Sequence, residues 1–354
     1  MKKIAIVAGA RPNFVKIAPL LRAIDKTQDA AYRFIYAGKS DDPTLESSLF
    51  DDLQMPRPDA YLGVDSTSLN EITSRVMAEF DAYLDREPAD VVIVVDDLAS
   101  TMAAAIVTKK RGLKLAHLVA GTRSFDMNMP KEVNRLVIDA LSDYLFTAGI
   151  KSNSIATREQ AEGSNTYMVG NILMDSLRYN YQRFKKPYLD IEEGSYIVFT
   201  LNRKALLADV EHLRQLLEAV IASAGNIPVI APLRPSALKV ARNLIPPSAN
   251  IKLTQPLPYL EFGWLTAHAA GIITDSGNVA EEATFNGVPC ITLNSYTEHQ
   301  ETTTVGTNVL VGENPQHLAE EMKKMTRGEW KKAALPDRWD GRTAERIVKI
   351  LLDK

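Results

Sequence analysis

The sequence predicts an α/β chain built from two doubly wound parallel sheets. Three observations carry that reading. The apolar runs are short and continuous rather than alternating in polarity, the mark of parallel strands buried on both faces. Segments with helical spacing separate them, which is the rhythm of β–α–β units. The chain has 354 residues, a length that holds two domains of ordinary size.

In the first half, KKIAIVAG (2–9), YRFIYAG (32–38), ADVVIVVDD (89–97), LKLAHLVAG (113–121) and DYLFTAG (143–149) read as strands. The segments between them are helical, as KEVNRLVIDALSD shows with Val133, Val137, Ala140 and Leu141 in register. In the second half the strand candidates are 195–202, 227–233, 251–257, 269–276, 288–294 and 307–312, separated by segments such as DVEHLRQLLEAVIASAG (209–225). The rhythm pauses from about Met168 to Asp190. That pause sets a first Rossmann-like domain at 1–170 and a second at 171–339, with the last helix, 340–354, able to pack on either, the first included. Two such domains place a small-molecule cleft between them.

Composition excludes some partners. Hydrophobic residues make up 45% and charged residues 24%, and the net charge is −3, so neither nucleic acid nor an anionic membrane is expected as a partner. The one cysteine, Cys290, reads as a core residue and leaves no internal disulfide, which points to a reducing compartment. Lys2 and Lys3 precede an apolar run, but Arg11 interrupts it. We therefore expect a cytoplasmic protein. The five histidines show no ligand spacing, so no metal is indicated.

Four stretches carry chemistry. In IAIVAGARPNFVKIAPLLRAI (4–24) a strand empties into a helix through Gly9, Ala10, Arg11 and Pro12. Ligands of open α/β sheets bind beyond the carboxyl ends of strands, and a helix N-terminus there attracts anions. Arg11 and Lys16 add positive charge. The turn reads either as an anion site or as a tight turn with a solvated arginine. TDSGNVAEEATFNGVP (274–289) is a second turn of this kind, with Asp275, Ser276 and Asn278 as capping residues and Gly277 open to close approach. Its Glu281 and Glu282 serve either the helix dipole or hydroxyls of a ribose. In AHLVAGTRSFDMNMPKEVNRL (116–136), His117, Arg123, Asp126, Glu132, Asn134 and Arg135 crowd one strand–helix loop. His117 reads as a site residue or as a buried, hydrogen-bonded one. In VVDDLAST (94–101), Asp96 and Asp97 end a buried strand, so one of them faces the ligand side unless Asp97 or Ser100 caps the next helix.

Taken together and in order, these stretches resemble the non-hydrolysing UDP-N-acetylglucosamine 2-epimerases. GARPNFVKIAPL is similar to the family's G-T-R-P-E-x-x-K-x-x-P-L, HLVAGTRSFDMNMPKEVNR to H-V-E-A-G-L-R-S with M-P-E-E-x-N-R, and TDSGNVAEEATFNGVP to T-D-S-G-G-x-Q-E-E-A with its G-x-P. The resemblance implies the GT-B arrangement of two Rossmann-like domains. It implies elimination of UDP across C1–C2 of a UDP-N-acetylhexosamine and re-addition with the opposite configuration, with neither cofactor nor metal. Ser276, Gly277, Asn278 and Glu282 would then hold UDP, Arg11, Lys16, Arg123 and Arg203 would face the nucleotide-sugar, and Asp97, Glu132 and His117 would serve as acid/base candidates. Dimers are common in the resembling family.

The departures set a second reading beside this one. The glutamate of H-V-E-A-G is Val119, and the histidine of H-R-R-E-N is Asn202. Neither side chain transfers protons, and such groups each contribute about 10²–10⁴-fold. The alternative is a nucleotide-sugar-binding homologue with impaired or altered chemistry.

Overall fold

The computed structural model describes residues 1–247 and 249–353. It forms two compact units, Met1–Tyr179 with Asp337–Lys354, and Asn180–Pro336. In the first unit, β1 (Lys2–Ala8), β2 (Ala30–Tyr36), β3 (Ala60–Tyr61), β4 (Val91–Val95), β5 (Lys114–Ala120), β6 (Tyr144–Thr147) and β7 (Asn165–Met168) pair in the order β3-β2-β1-β4-β5-β6-β7. Between them run α1 (Pro12–Asp25), α2 (Ser47–Leu53), α3 (Leu69–Arg86), α4 (Ala99–Lys110), α5 (Pro130–Leu141) and α6 (Ile150–Glu159), with α7 (Ile172–Asn180) following β7.

The second unit repeats the pattern. Its strands β8 (Ile197–Phe199), β9 (Val229–Pro232), β10 (Ile251–Thr254), β11 (Gly271–Thr274), β12 (Cys290–Thr292) and β13 (Asn308–Leu310) pair in the order β10-β9-β8-β11-β12-β13. Its helices are α8 (Lys204–Ala208), α9 (Val210–Ala224), α10 (Pro235–Leu244), α11 (Tyr259–Ala267), α12 (Gly277–Asn286), α13 (Glu301–Thr304) and α14 (Pro315–Thr326). The chain closes with α15 (Thr343–Leu352) in the first unit. Strand pairing is parallel throughout both sheets. Each sheet reverses its order once, between β1 and β4 and between β8 and β11. Those switch points open the crevice where ligands of such sheets bind.

Every strand anticipated from the sequence is present. The short edge strands β3 and β7 were not anticipated, because a two-residue strand and the half-exposed NTYM carry no apolar run. The continuous runs arise as expected. Ala5, Val7, Val92 and Val94 pack on one face with Phe80, Ala103 and Ala104 of α3 and α4, and the alternate residues Ile4, Ile6 and Ile93 are buried on the other.

The units divide at Tyr179/Asn180 rather than at 170, because α7 is fastened to the first unit by the C-terminal segment. Asp175 on α7 accepts the first backbone N–H groups of α15, from Thr343 at 3.0 Å and Ala344 at 2.7 Å. Arg342, the residue before α15, supplies no side-chain cap, so Asp175 performs that task from another helix. The Trp339 indole is buried and donates to the Ala148 carbonyl at 3.0 Å. The Asp175→Ala variant should therefore lose about 1 kcal/mol of stability in urea denaturation, the usual worth of an N-cap. An unchanged denaturation midpoint would show that the cap is dispensable.

Candidate active-site residues in the two units

In the first unit the β1–α1 turn differs from the anion site that its sequence suggested. The Asn13 side-chain oxygen accepts the backbone N–H of Gly9 at 2.9 Å and of Ala10 at 3.1 Å. The donors of the turn are thus occupied from within. Lys16 is paired with Asp96 at 2.6 Å, and Asn13 donates to the other Asp96 oxygen at 2.8 Å. Gly9 is needed for close approach rather than for a sharp turn: a Cβ there would meet Ser100 Oγ of α4 at 2.1 Å. Arg11 remains half-exposed beside the turn.

Backbone strain gathers at the ends of β4 and β5. Asp96 (φ 60°), Val119 (φ 73°) and Phe125 (φ 60°) all lie in the left-handed region. For a β-branched valine that conformation is a true outlier, of a kind that clusters at functional sites. The pairing of β5 with β6 slips between Leu118 and Ala120, around Val119. A buried network imposes this shape. His117 is fully buried, with Nδ1 2.5 Å from Asp139 and Nε2 3.0 Å from the Asp96 carbonyl. Asp139 also accepts Gly121 N–H at 3.0 Å and pairs with Arg123 at 2.7 Å. Burial would raise the Asp139 carboxyl, but His117 and Arg123 outweigh it and hold it below the usual carboxylate range.

Two residues chosen from the sequence thus have other tasks. His117 has both ring nitrogens engaged and fixes the backbone of Asp96. Arg123 is buried and spends its guanidinium on Asp139, Glu159 and the Thr122 carbonyl.

Asp97 caps no helix; Thr101 closes the start of α4 instead by accepting from Leu98 N–H. The Asp97 carboxylate meets Arg135 at 2.6 Å and Lys131 at 3.2 Å. Burial pushes its pKa up, but Lys131 and then Arg135 hold it below the usual range. Glu132 is more completely committed. Its oxygens accept Ser124 N–H at 2.8 Å, Ser124 Oγ–H at 2.9 Å, Phe125 N–H at 3.0 Å and Arg135 at 3.0 Å. Three of these donors converge on Oε2 and Phe125 N–H meets Oε1, so Glu132 clamps the 124–125 loop. The helical spacing in α5 is real, but the buried face is the polar one. Val133 is 40% exposed, whereas Glu132, Arg135, Ile138 and Asp139 point inward.

In the second unit, Asp275 follows β11 and accepts the backbone N–H groups of Asn202 and Arg203, each at 2.6 Å. This ties the loop after β8 to the loop after β11 across the switch point. Asn202 is exposed, while Arg203 reaches Glu313 and the Leu293 carbonyl. Thr274 Oγ accepts Ser276 N–H at 3.0 Å. Ser276, the residue before α12, supplies no side-chain cap, so that residue leaves the α12 N-terminus open. Glu281 and Glu282 are both buried in α12. Burial, with the Glu281 charge added, pushes Glu282 up to about 8. Glu281 Oε1 lies 3.0 Å from Nδ1 of His299, a residue that the sequence did not single out.

The chain matches the family model described as UDP-N-acetylglucosamine 2-epimerase over residues 22–352. The chain belongs to that family. A UDP-N-acetylglucosamine 2-epimerase of Methanocaldococcus jannaschii is 32% identical, with 99% of this chain and 98% of that protein covered. The structure of a Methanocaldococcus jannaschii UDP-GlcNAc 2-epimerase in complex with UDP-GlcNAc and UDP is similar with a TM-score of 0.87 at 32% identity, over 99% of this chain and 100% of that one. A UDP-2,3-diacetamido-2,3-dideoxy-D-glucuronate 2-epimerase of Pseudomonas aeruginosa is 33% identical over 88% of each chain. Membership bears out the family and the fold read from the sequence.

Glu282 has a pH signature of its own. Its carboxyl is near 8 in the folded protein against 4.5 unperturbed, so the folded state holds the extra proton between those values. Stability from this group is therefore intact below about pH 4.5, falls as pH rises through the window, and is lost above about 8. Glu282→Gln should be more stable than the parent at pH 9, on the order of a few kcal/mol, and nearly equal to it at pH 5. Parallel melting temperatures across that range would contradict the assignment.

Proposed function

We propose that the protein interconverts C2 epimers of a UDP-linked 2-acetamido sugar, with UDP-GlcNAc and UDP-ManNAc as the first pair to test. The observation that carries the reading is the open N-terminus of α12, where Ser276 and Gly277 stand at the matching positions of the family's UDP-binding motif and Glu282 lies just over a turn further on. Free N–H groups at a helix start suit a diphosphate. The buried Glu282 carboxyl group nearby suits the hydroxyls of a ribose. The relatives named above act on UDP-linked sugars, which supports the same substrate class.

The reaction requires a proton to leave C2 and the C1–O bond to UDP to break, its electron pair departing with the diphosphate as C1=C2 forms. UDP oxygen then returns to C1 and a proton to the opposite face of C2. No net oxidation occurs. Among the first unit's candidates, Asp97 fits a proton-transfer role best. Its environment keeps it ionised, and Oδ1 meets the exposed Lys131, whereas Glu132 is more deeply buried and holds the 124–125 loop, and His117 is enclosed. Val119 and Asn202 stand where the family pattern has a glutamate and a histidine, so the rate through this arrangement rests on fewer acid/base groups. No helix among the described residues is long and apolar enough to cross a membrane. A cytoplasmic homodimer accompanies the proposal, on the strength of the single cysteine and the family habit.

Asp97→Asn should lower kcat for UDP-ManNAc formation by about 10²–10⁴-fold with KM altered less than threefold, the pattern of a group acting in proton transfer rather than binding. Retained kcat, measured by anion-exchange separation of the two epimers, would remove Asp97 from the chemistry.

A further inference from the structure

We propose that the cavity between α1, α7 and α15 binds a small phosphorylated metabolite through its phosphoryl dianion. The cavity lies wholly within the first unit, away from the start of α12 in the second, and the proposal does not depend on the UDP reading.

Charge selects the ligand. The cavity has a volume of about 470 Å³, which falls in the size range of small-metabolite pockets. Four cationic side chains line it, Arg22, Lys26, Arg178 and Arg342, against two acidic ones, Asp175 and Glu345. Both acids are engaged. Asp175 gives one oxygen to Thr343 N–H and the other to Ala344 N–H, at the start of α15. Glu345 pairs with Arg342 at 3.1 Å. The neighbouring Asp340 pairs with Arg346 at 2.5 Å. Among the described residues, Lys26 Nζ has no hydrogen-bond or ion-pair partner, and Arg178 has no acidic one. Positive charge is thus left over on this surface, although the whole chain carries a net charge of −3.

Geometry holds two of the guanidinium groups in place before any ligand arrives. Arg22 lies over the Tyr179 ring, 3.9 Å from its centroid, and donates to the Leu53 carbonyl at 2.8 Å. Arg178 donates through Nη1 to the Asp340 carbonyl at 2.7 Å. The next residue, Gly341, makes room for it: its φ is 71°, and a Cβ there would meet Arg178 Cδ at 2.6 Å. Only glycine combines that left-handed backbone with so close an approach. Arginine carries five N–H donors in a rigid fork that matches phosphate oxygens, so one carbonyl leaves Arg178 with donors to spare. Lys26 ends α1 and adds a mobile point charge at the rim. A phosphoryl group offers three acceptor oxygens and close to two negative charges, and suits three separated cations better than a carboxylate does. A ligand held this way links α1 to α7 and to the start of α15.

The test is calorimetric titration of the full-length protein with inorganic pyrophosphate, at about 0.15 M salt to screen loose surface association. Saturating UDP is present throughout, so that pyrophosphate does not report on α12. The parent should bind with a dissociation constant on the order of 0.1 mM, and inorganic phosphate should bind more weakly. Lys26→Ala and Arg178→Gln should each weaken pyrophosphate binding by about tenfold, the usual loss for one charge-assisted contact. Glu345→Gln removes an acid from the rim and should tighten binding on the order of threefold, a gain that a merely disturbed fold would not produce. Lys26 has no partner to lose, so Lys26→Ala keeps the native circular dichroism and carries the test even if Arg178→Gln disturbs the start of α15. No binding by the parent at millimolar pyrophosphate would overturn the proposal. Equal affinity in the parent, Lys26→Ala and Glu345→Gln would overturn it as well, because the anion would then sit elsewhere.

Discussion

Asp139 holds three donors at once, from His117, Gly121 and Arg123, inside the first unit. That buried carboxylate links α5 to β5, and through His117 to the carbonyl of Asp96 at the end of β4. It therefore holds the strained corners at Asp96 and Val119 in place. A buried charge with its partners in place is neutral ground for stability, but removing one partner leaves the others unpaired at a cost of several kcal/mol. The network is thus a constraint on shape more than a store of energy. Glu132 and Arg135, on the same face of α5, extend it to the 124–125 loop and to Asp97. After these obligations Glu132 is committed to the 124–125 loop, while Asp97 Oδ1 meets the exposed Lys131.

The second unit uses one carboxylate in a similar way. Asp275 fastens the Asn202–Arg203 backbone across the switch point, and this holds the loop after β8 beside the start of α12. The two units then diverge in how they treat the helix that follows. Asn13 fills the turn before α1, whereas the start of α12 is left open and has two buried acids behind it. An open helix N-terminus is a ready donor set for an anion, and a filled one is not. The β1–α1 turn of the first unit is held from within, with Lys16 already paired with Asp96.

Much of this was legible in the sequence, for physical reasons that can be named. Continuous apolar runs found the strands because both faces of each sheet are covered, and the failures were β3 and β7, whose edge positions need no such run. The order of the long motifs resolved the family. Side-chain partnerships were harder. Arg123 looked like a ligand residue because its partner Glu159 is 36 positions away and nothing local announces it. The apolar register of α5 drew attention to Val133, while the spacing of Glu132, Arg135 and Asp139 marked the true inward face and was a usable signal. Asn13 gave no warning that it would cap the turn behind it. His299 gave none either, because its partner Glu281 lies in another element.

The central claim is that this fold, with valine and asparagine at two acid/base positions, still moves a proton at C2 of a UDP-sugar. Proton NMR of UDP-GlcNAc incubated with the protein in D₂O tests it most directly, because it reports C2 exchange, epimer formation and free UDP in one spectrum. The account predicts loss of the C2 proton signal in both epimers as UDP-ManNAc appears, with the total sugar nucleotide nearly conserved. A C2 proton fully retained at high protein concentration, in a sample that binds UDP, would contradict it.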